Sequence, residues 1–332
     1  MDEIRLGTIG TGMIVHQILN CVKQTDGIKL EAVYSRSVEK GKKLAAQYGT
    51  SKVYTDLDAF LADPYVNFVY IASPNSLHYT QAKAALLAGK NVIIEKPCTP
   101  TAAQAAALIE LAQARNLLLI DATPTAYLPN LSVLKTHLPE IGKIKLVMSN
   151  YSQYSSRYDR VLAGEVPTIF SPEFAGGCLM DINYYNVYLN IALFGTPKKA
   201  VYFPNIYPGL TDTSGSIILQ YDGFVSQNAG AKDTWGVNFF QIEGEKGFIY
   251  VENGANGLKN VRVVTKSSDI TYDLQTNTNR WHYAVSGITN AILNSQHEVL
   301  TDALCTMLSA ISSIECARKD ASIFFPSDDG II

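Results

Sequence analysis

The chain has 332 residues, 47% of them hydrophobic and 17% charged, with a formal net charge of -3. That length suits two domains of roughly 150 residues each, and the balance is that of a folded protein, neither disordered nor a partner for nucleic acid. No run of about 18 uncharged apolar residues suggests a membrane span, and "MDEIRLGTIG" begins a strand at once rather than a signal peptide, so a cytoplasmic protein with no membrane partner is expected.

The first third alternates short apolar strands with helix-period segments. "IRLGTIG" predicts a strand, "MIVHQILNCVKQ" a helix, "IKLEAVYS" a strand, and "SVEKGKKLAAQYG" a helix closed by Gly49 at its C-cap. The same rhythm continues through "KVYT", "DLDAFLAD", "NFVYIASP" and "SLHYTQAKAALLAG", the last with Ser76 as N-cap. "NVIIEKP", "TAAQAAALIELAQARN" and "LLLIDATP" complete the pattern. Six apolar strands alternating with helices imply an α/β domain, a doubly wound parallel sheet covered on both faces. This predicts a Rossmann dinucleotide-binding domain over 1–123 and a second domain over 124–332.

From about Lys143 the rhythm changes. "KIKLVMSNYSQYS" reads as a long strand and "GGCLMDINYYNVYLNIALFG" as a helix closed by Gly195. Hairpins are expected at Asp222-Gly223 and around Gly244 to Gly247. Two helices, over 280–295 and 301–319, end the chain. This part is therefore expected to be a mostly antiparallel sheet with helices on one side. An open sheet with helices on one side leaves a face in need of cover, which predicts a homodimer or homotetramer. The five cysteines are scattered without a CxxC, and the five histidines form no HxxxH, so reduced thiols and no metal are expected.

"GTIGTGMIV" stands at the first strand-to-helix turn. Gly10 and Gly12 give the tight turn and close approach that a pyrophosphate needs, and the helix starting near Met13 and Ile14 aims its first amides at the phosphates. Val15 departs from the Gly or Ala usual in its slot. At the end of the second strand, Ser35 and Arg36 replace the acidic residue that would bond a ribose 2'-hydroxyl, which favours NADP and leaves NAD possible. The alternative is a solvated Arg36 at a helix start, with NAD held through Ser35. Ligands of such sheets bind outside the carboxyl ends of the strands. Ser73, Pro74 and Asn75 in "IASPNSLH", and Glu95 and Lys96 in "IIEKP", are thereby placed beside the cofactor, with Lys96 facing the nicotinamide.

These motifs in this order, "GTIGTGMI", "VYSRS", "IASPNSLH", "IIEKP", "AGGCLMDINYY" and "IEGEKGFIYV", resemble the Gfo/Idh/MocA family, which includes glucose-fructose oxidoreductase, inositol dehydrogenase and dihydrodiol dehydrogenase. The resemblance spans nearly the whole chain. It implies a Rossmann domain followed by an α+β domain with a large, mostly antiparallel open sheet for substrate binding and oligomerisation, and an NAD(P)-dependent oxidoreductase that moves hydride between the nicotinamide and a hydroxyl or carbonyl carbon of a sugar, polyol or cyclic diol. Many members have His where this chain has Tyr185; the Tyr form resembles branches that lean towards NADP. Asp181 and Tyr185 lie four apart in a helix-period segment and share one face. Oxidising a secondary alcohol needs a proton relay and a cation for developing oxyanion charge. Tyr185 supplies the first, Lys96 the second, and Asp181 orients Lys96 or bonds a substrate hydroxyl. Core packing is the alternative for Tyr185, and a helix-dipole role that for Asp181. Tyr154 and Arg157 in "NYSQYSSRYDR", with Trp281 and His282 in "NRWHY", are candidates for the substrate wall. Two other functions remain open on the same fold: a non-catalytic NAD(P)-sensing regulator, and an oxidoreductase that keeps its cofactor and couples two substrates.

Overall fold

Apolar strands too short to bury themselves set the architecture of the first half. In the computed structural model, which describes residues 3–330, β1 (Ile4–Ile9), β2 (Ile28–Tyr34), β3 (Val53–Tyr54), β4 (Phe68–Ile71), β5 (Asn91–Ile94) and β6 (Leu119–Asp121) form one parallel sheet. Their order is β3-β2-β1-β4-β5-β6. Between them run α1 (Met13–Val22), α2 (Val38–Tyr48), α3 (Leu57–Leu61), α4 (Asn75–Leu87) and α5 (Ala102–Ala114). Helices on both faces bury Phe68, Val69, Tyr70 and Ile71 together, which is why β4 is apolar at every position. The winding reverses between β1 and β4, and there the carboxyl ends of the strands open a crevice.

Local signals act as the residue types dictate. Ser37 caps α2 by accepting from the Lys40 amide, and Gly49 ends the helix in the left-handed conformation. Two expectations need correction. Ser76 is not the cap of α4: the helix starts at Asn75 with Pro74 in the cap position and no side-chain cap bond. Proline holds the preceding residue extended, so the helix can begin directly after it. β5 stops at Ile94, although the Glu95 amide still donates to Ile71 O at 2.9 Å before the chain turns through a cis Lys96–Pro97 bond.

After α6 (Pro129–His137), β7 (Ile144–Ser152) and α7 (Ser156–Leu162), a π-helical turn (Leu179–Asn183) leads into α8 (Tyr184–Phe194). β8 (Lys199–Ile206), β9 (Asp212–Tyr221), β10 (Phe224–Ala231), β11 (Phe239–Gly244), β12 (Gly247–Glu252), β13 (Lys259–Thr265) and β14 (Asp269–Tyr272) follow. With β7 they form an eight-stranded sheet, β14-β13-β12-β11-β7-β10-β9-β8. Only the β7–β10 pair is parallel, and the turns at Asp222-Gly223 and before Gly247 fall where the sequence places them.

α8 is buried along both faces. Tyr185 and Leu189 pack on Val147, Phe240 and Ile249 of the large sheet, while Tyr184, Val187 and Tyr188 pack on Ile94, Cys98 and Leu119 of the parallel half. α9 (Arg280–Leu293) and α10 (His297–Asp320) then return to the first half, α9 against α1 and α10 against α5 and β6. α10 starts four residues before the expected Thr301. By length and composition α10 could cross a membrane, contrary to the expectation that no segment qualifies. Here Met307, Ala310, Ile311 and Ile314 are core residues shared by the two halves.

Candidate active site in the cleft between the two sheets

A cleft of about 840 Å³ lies between the carboxyl ends of the parallel strands and the elements around β7, the π turn and α9. Its first half is built from the glycine loop. Gly10 has φ +119°, and a Cβ there would lie 2.7 Å from Ala72 O, so this position admits only glycine. Nothing lies within 4 Å of a Cβ built on Gly12, which leaves space in front of the α1 amino terminus. α1 has no side-chain cap and no acidic residue in its first turn, so the amides of Met13 and Ile14 face the cleft as anion donors.

The other expected cofactor residues line the same space. Ser35 is buried, its Oγ accepting from the Ser37 amide, while Arg36 is exposed at the rim with no partner among the described residues and Lys40 beside it on the wall. Ser73, Pro74 and Asn75 border the cleft, but two of their side chains are already committed. Ser73 Oγ donates to Gln81 at 2.6 Å, and Asn75 Nδ2 crosses to Ala175 O at 2.8 Å. His78 sits behind them, 2.9 Å from both Ser73 O and Pro97 O. A dinucleotide fits these residues: uncapped amides for the pyrophosphate, and unpaired cations where a 2'-phosphate would lie.

Lys96, Asp181 and Tyr185 come together on the floor of the cleft although two halves supply them. Lys96 Nζ donates to Asp181 Oδ1 at 2.6 Å and to Asp181 O at 2.8 Å. The second carboxylate oxygen accepts from Lys232 Nζ, just beyond β10. Burial weakens the hold of Lys96 on its proton, but the charges of Asp181 and Tyr185 and the Asp181 hydrogen bond outweigh it and keep the ammonium above the ordinary lysine range. Burial likewise opposes ionisation of Asp181, yet the Lys232 and Lys96 ammonium groups hold it well below the usual carboxylate range. Lys96 lies over the Tyr185 ring, 5.0 Å from its centroid, and Arg280 Cζ is also 5.0 Å from it. Among the described residues the Tyr185 hydroxyl meets Arg280 Nη2, at 3.5 Å, rather than Lys96. Glu95 is only 5% exposed and accepts from the Tyr70 hydroxyl at 2.6 Å; burial pushes its carboxyl up.

The π turn that carries Asp181 is held from below. Gly177 has φ +121°, and the buried Asp212 carboxylate accepts from the Leu179 amide and the Tyr202 hydroxyl, both at 2.7 Å. Asp181 and Tyr185 therefore share the cleft through a π turn, not through the regular α-helical spacing expected.

Of the expected substrate residues, Tyr154, Arg157 and Trp281 line the cleft. Tyr154 stacks on Trp235, with centroids 5.4 Å apart. His282 does not reach it. Neighbouring helical residues are about 100° apart, so with Arg280 and Trp281 turned to the cleft, His282 points elsewhere. Arg280 and Lys232 are the site residues that sequence reasoning missed. In "NRWHY" nothing local distinguishes a cleft-facing arginine from its aromatic neighbours, and nothing in "GAKDT" marks a lysine that must meet a carboxylate 51 positions earlier.

Residues 4–122 match the Gfo/Idh/MocA family, described as an oxidoreductase family with an NAD-binding Rossmann fold. The chain is 34% identical over 328 residues to the uncharacterised oxidoreductase YgjR of Escherichia coli (strain K12), covering 98% of each. It is 36% identical over 249 residues to the NADP-dependent scyllo-inositol 2-dehydrogenase IolU of Bacillus subtilis (strain 168), covering 75% of this chain and 76% of that one. Among solved structures, the 3-ketoreductase KijD10 of Actinomadura kijaniata, in complex with NADP and TDP-benzene, superposes with a TM-score of 0.84 at 21% identity, over 96% of this chain and 98% of that one.

Proposed function

The chain belongs to the Gfo/Idh/MocA oxidoreductase family, and from that premise we propose that it is an NADP-preferring dehydrogenase or reductase acting on a hydroxyl or carbonyl carbon of a sugar, polyol or cyclic diol. The observation that carries this reading is the meeting of Lys96, Asp181 and Tyr185 in the cleft that the glycine loop also lines. A relative named as an NADP-dependent scyllo-inositol 2-dehydrogenase supports both the cofactor and the substrate class, and Arg36 at the rim, with no partner among the described residues, supports the cofactor.

Bound along the glycine loop, NADP would supply or accept the hydride. The protein's part is to hold and deprotonate the alcohol. Lys96, kept charged by Asp181, directs its remaining N–H at the substrate oxygen and offsets the negative charge that develops there. Tyr185 passes the hydroxyl proton, and Arg280, 3.5 Å from its oxygen, stabilises charge arising on the phenol during that transfer. Asp181 fixes Lys96 through two bonds and so works as a positioning residue. We propose in addition a homo-oligomer built on the large sheet and a cytoplasmic location, in keeping with five free cysteines.

The test is direct. Purified protein is titrated with NADPH and NADH, then screened with sugars, polyols and diols at the nicotinamide absorbance. Turnover that Lys96→Ala abolishes while NADPH still binds is the expected result. Tight NADPH binding without turnover of any compound would move the assignment to a dinucleotide-sensing regulator.

A further inference from the structure

We propose that the reacting polyhydroxy compound carries an anionic substituent, a carboxylate or a phosphate, and that Lys232 receives it. This inference rests on the dehydrogenase reading above and narrows its substrate class.

The argument starts from one buried ammonium group. The Lys232 side chain is 5% exposed, and Asp181 Oδ2 is its sole hydrogen-bond partner among the described residues. An ammonium group has three donors, so on this cleft-lining residue two of them have no oxygen or nitrogen acceptor among the described residues, with only the Phe170 ring nearby, its centroid 5.8 Å from Nζ. Leaving buried charged donors unpaired is costly. The other carboxylates beside Lys232 are already used. Asp233 turns away to accept from Thr213 Oγ1 at 2.6 Å and Ser214 Oγ at 2.9 Å, and Asp212 is held by Leu179 N and Tyr202.

Charge in the substrate half of the cleft leads to the same place. Lys96, Lys232, Arg280 and Arg157 line it against only Asp181 and Glu95. Asp181 is shared by two lysines. Arg280 bonds Asn256 O at 2.8 Å and the Tyr185 hydroxyl at 3.5 Å and also meets the Tyr151 side chain, and its nearby acid is Glu95, which it influences through charge. Arg160, also on the wall, is neutralised by Glu165, whereas Arg157 has no side-chain partner among the described residues. The Ser155 amide donates to Lys232 O at 2.9 Å, which ties the start of α7, and with it Arg157, to the Lys232 corner. One positive charge serves the developing oxyanion at Lys96. The rest match a substrate that brings its own negative charge. Scyllo-inositol, named for the Bacillus subtilis relative, is a neutral polyol, so this substrate would differ from that one.

Protein loaded with NADP+, so that the cofactor's phosphate sites are filled, is titrated calorimetrically with D-gluconate, D-glucose 6-phosphate and inorganic phosphate, and with sorbitol and glucose as neutral counterparts. A charge-assisted hydrogen bond of about 1.5–3 kcal/mol corresponds to roughly a 10- to 100-fold preference. The expected result is such a preference for at least one anionic probe, its loss in Lys232→Met, and its retention in Lys232→Arg; unchanged NADPH affinity shows that each variant is folded. Gluconate ahead of glucose 6-phosphate assigns a carboxylate, and the reverse order a phosphate. Anionic probes binding no better than neutral ones, or equally well to Lys232→Met, would overturn the inference. The calorimetry needs no turnover, so the two readings fail separately. Anion binding without oxidation of any compound leaves the anion site and removes the dehydrogenase, whereas efficient oxidation of neutral polyols without anion binding does the opposite.

Discussion

Lys96 is charged, nearly buried and bonded twice to one aspartate, so a substitution that keeps its length but removes its charge isolates its electrostatic role. Lys96→Met is expected to lower kcat/KM by about 10²–10³, the usual cost of losing one preorganised oxyanion donor, with NADPH affinity retained in a fluorescence titration. Tyr185→Phe should cost about 10²–10⁴, the range for a lost proton relay, and a variant with wild-type turnover would reassign Tyr185 to packing. Arg36→Ala addresses the cofactor. Losing a charge-assisted contact to a 2'-phosphate should raise the NADPH dissociation constant by about 10-fold or more while that of NADH stays unchanged; equal effects on both would place Arg36 outside the site. Residues on local motifs were legible in the sequence because strand-end geometry alone brings Gly10, Arg36 and Lys96 to one edge. Lys232 and Arg280 were not, since only the tertiary fold brings a β10 end and an α9 start to Asp181 and Tyr185.

Elements were legible where one period ruled: the six parallel strands and the two hairpins follow from apolar runs and turn residues. The π turn at Leu179–Asn183 was not, because its apolar pattern passes for the first turn of α8 and the carboxylate that anchors its Leu179 amide, Asp212, lies outside the segment. A second hidden junction is Asp121, at the end of β6. Its side chain is fully buried, one oxygen accepting from the Thr123 amide and hydroxyl, with Tyr127, Tyr184, Tyr188, Cys98 and Glu95 around it. Burial, only partly offset by Thr123 and Tyr188, raises its carboxyl from 3.8 to about 7. The folded protein thus keeps a proton that the unfolded chain releases near pH 4. Stability falls as pH rises from about 4 to about 7, and above that the cost approaches about 4 kcal/mol at about 1.4 kcal/mol per pH unit. Asp121→Asn keeps the Thr123 bonds and cannot ionise. Its midpoint of urea unfolding should therefore exceed that of the wild type at pH 8 and converge on it towards pH 4. An offset that does not change with pH would show that Asp121 does not titrate in the fold.

At the scale of the molecule, the alternation of burial along the large sheet decides what covers its outer face. In β7, Val147, Ser149 and Tyr151 are buried against α8, so Leu146 and Met148 point the other way. Strand register extends two rows across that face: Val201, Ile218, Gln227, Met148, Gln241, Tyr250, Arg262 and Thr271 in one, and Lys199, Gln220, Val225, Leu146, Glu243, Phe248, Val264 and Asp269 in the other, with the charges mostly at the ends. On β8, Phe203 is 62% exposed. Eight strands at about 4.8 Å spacing and about 20 Å of usable length give roughly 750 Å², close to the ~800 Å² per partner of a stable interface. This face, apolar and amide towards its middle and charged towards its ends, is the surface proposed to pair with a second copy. Sequence alone identified the open sheet but not these rows, because register across β7 and β10 joins strands about 80 residues apart. Leu146→Arg sets a charge near the middle of the face without touching the cleft. Sedimentation of the wild type should give a multiple of the 36.3 kDa chain mass, and the variant should sediment as a smaller species with NADPH affinity intact. If the wild type sediments as a single chain at micromolar concentration, the outer face does not serve as a subunit interface.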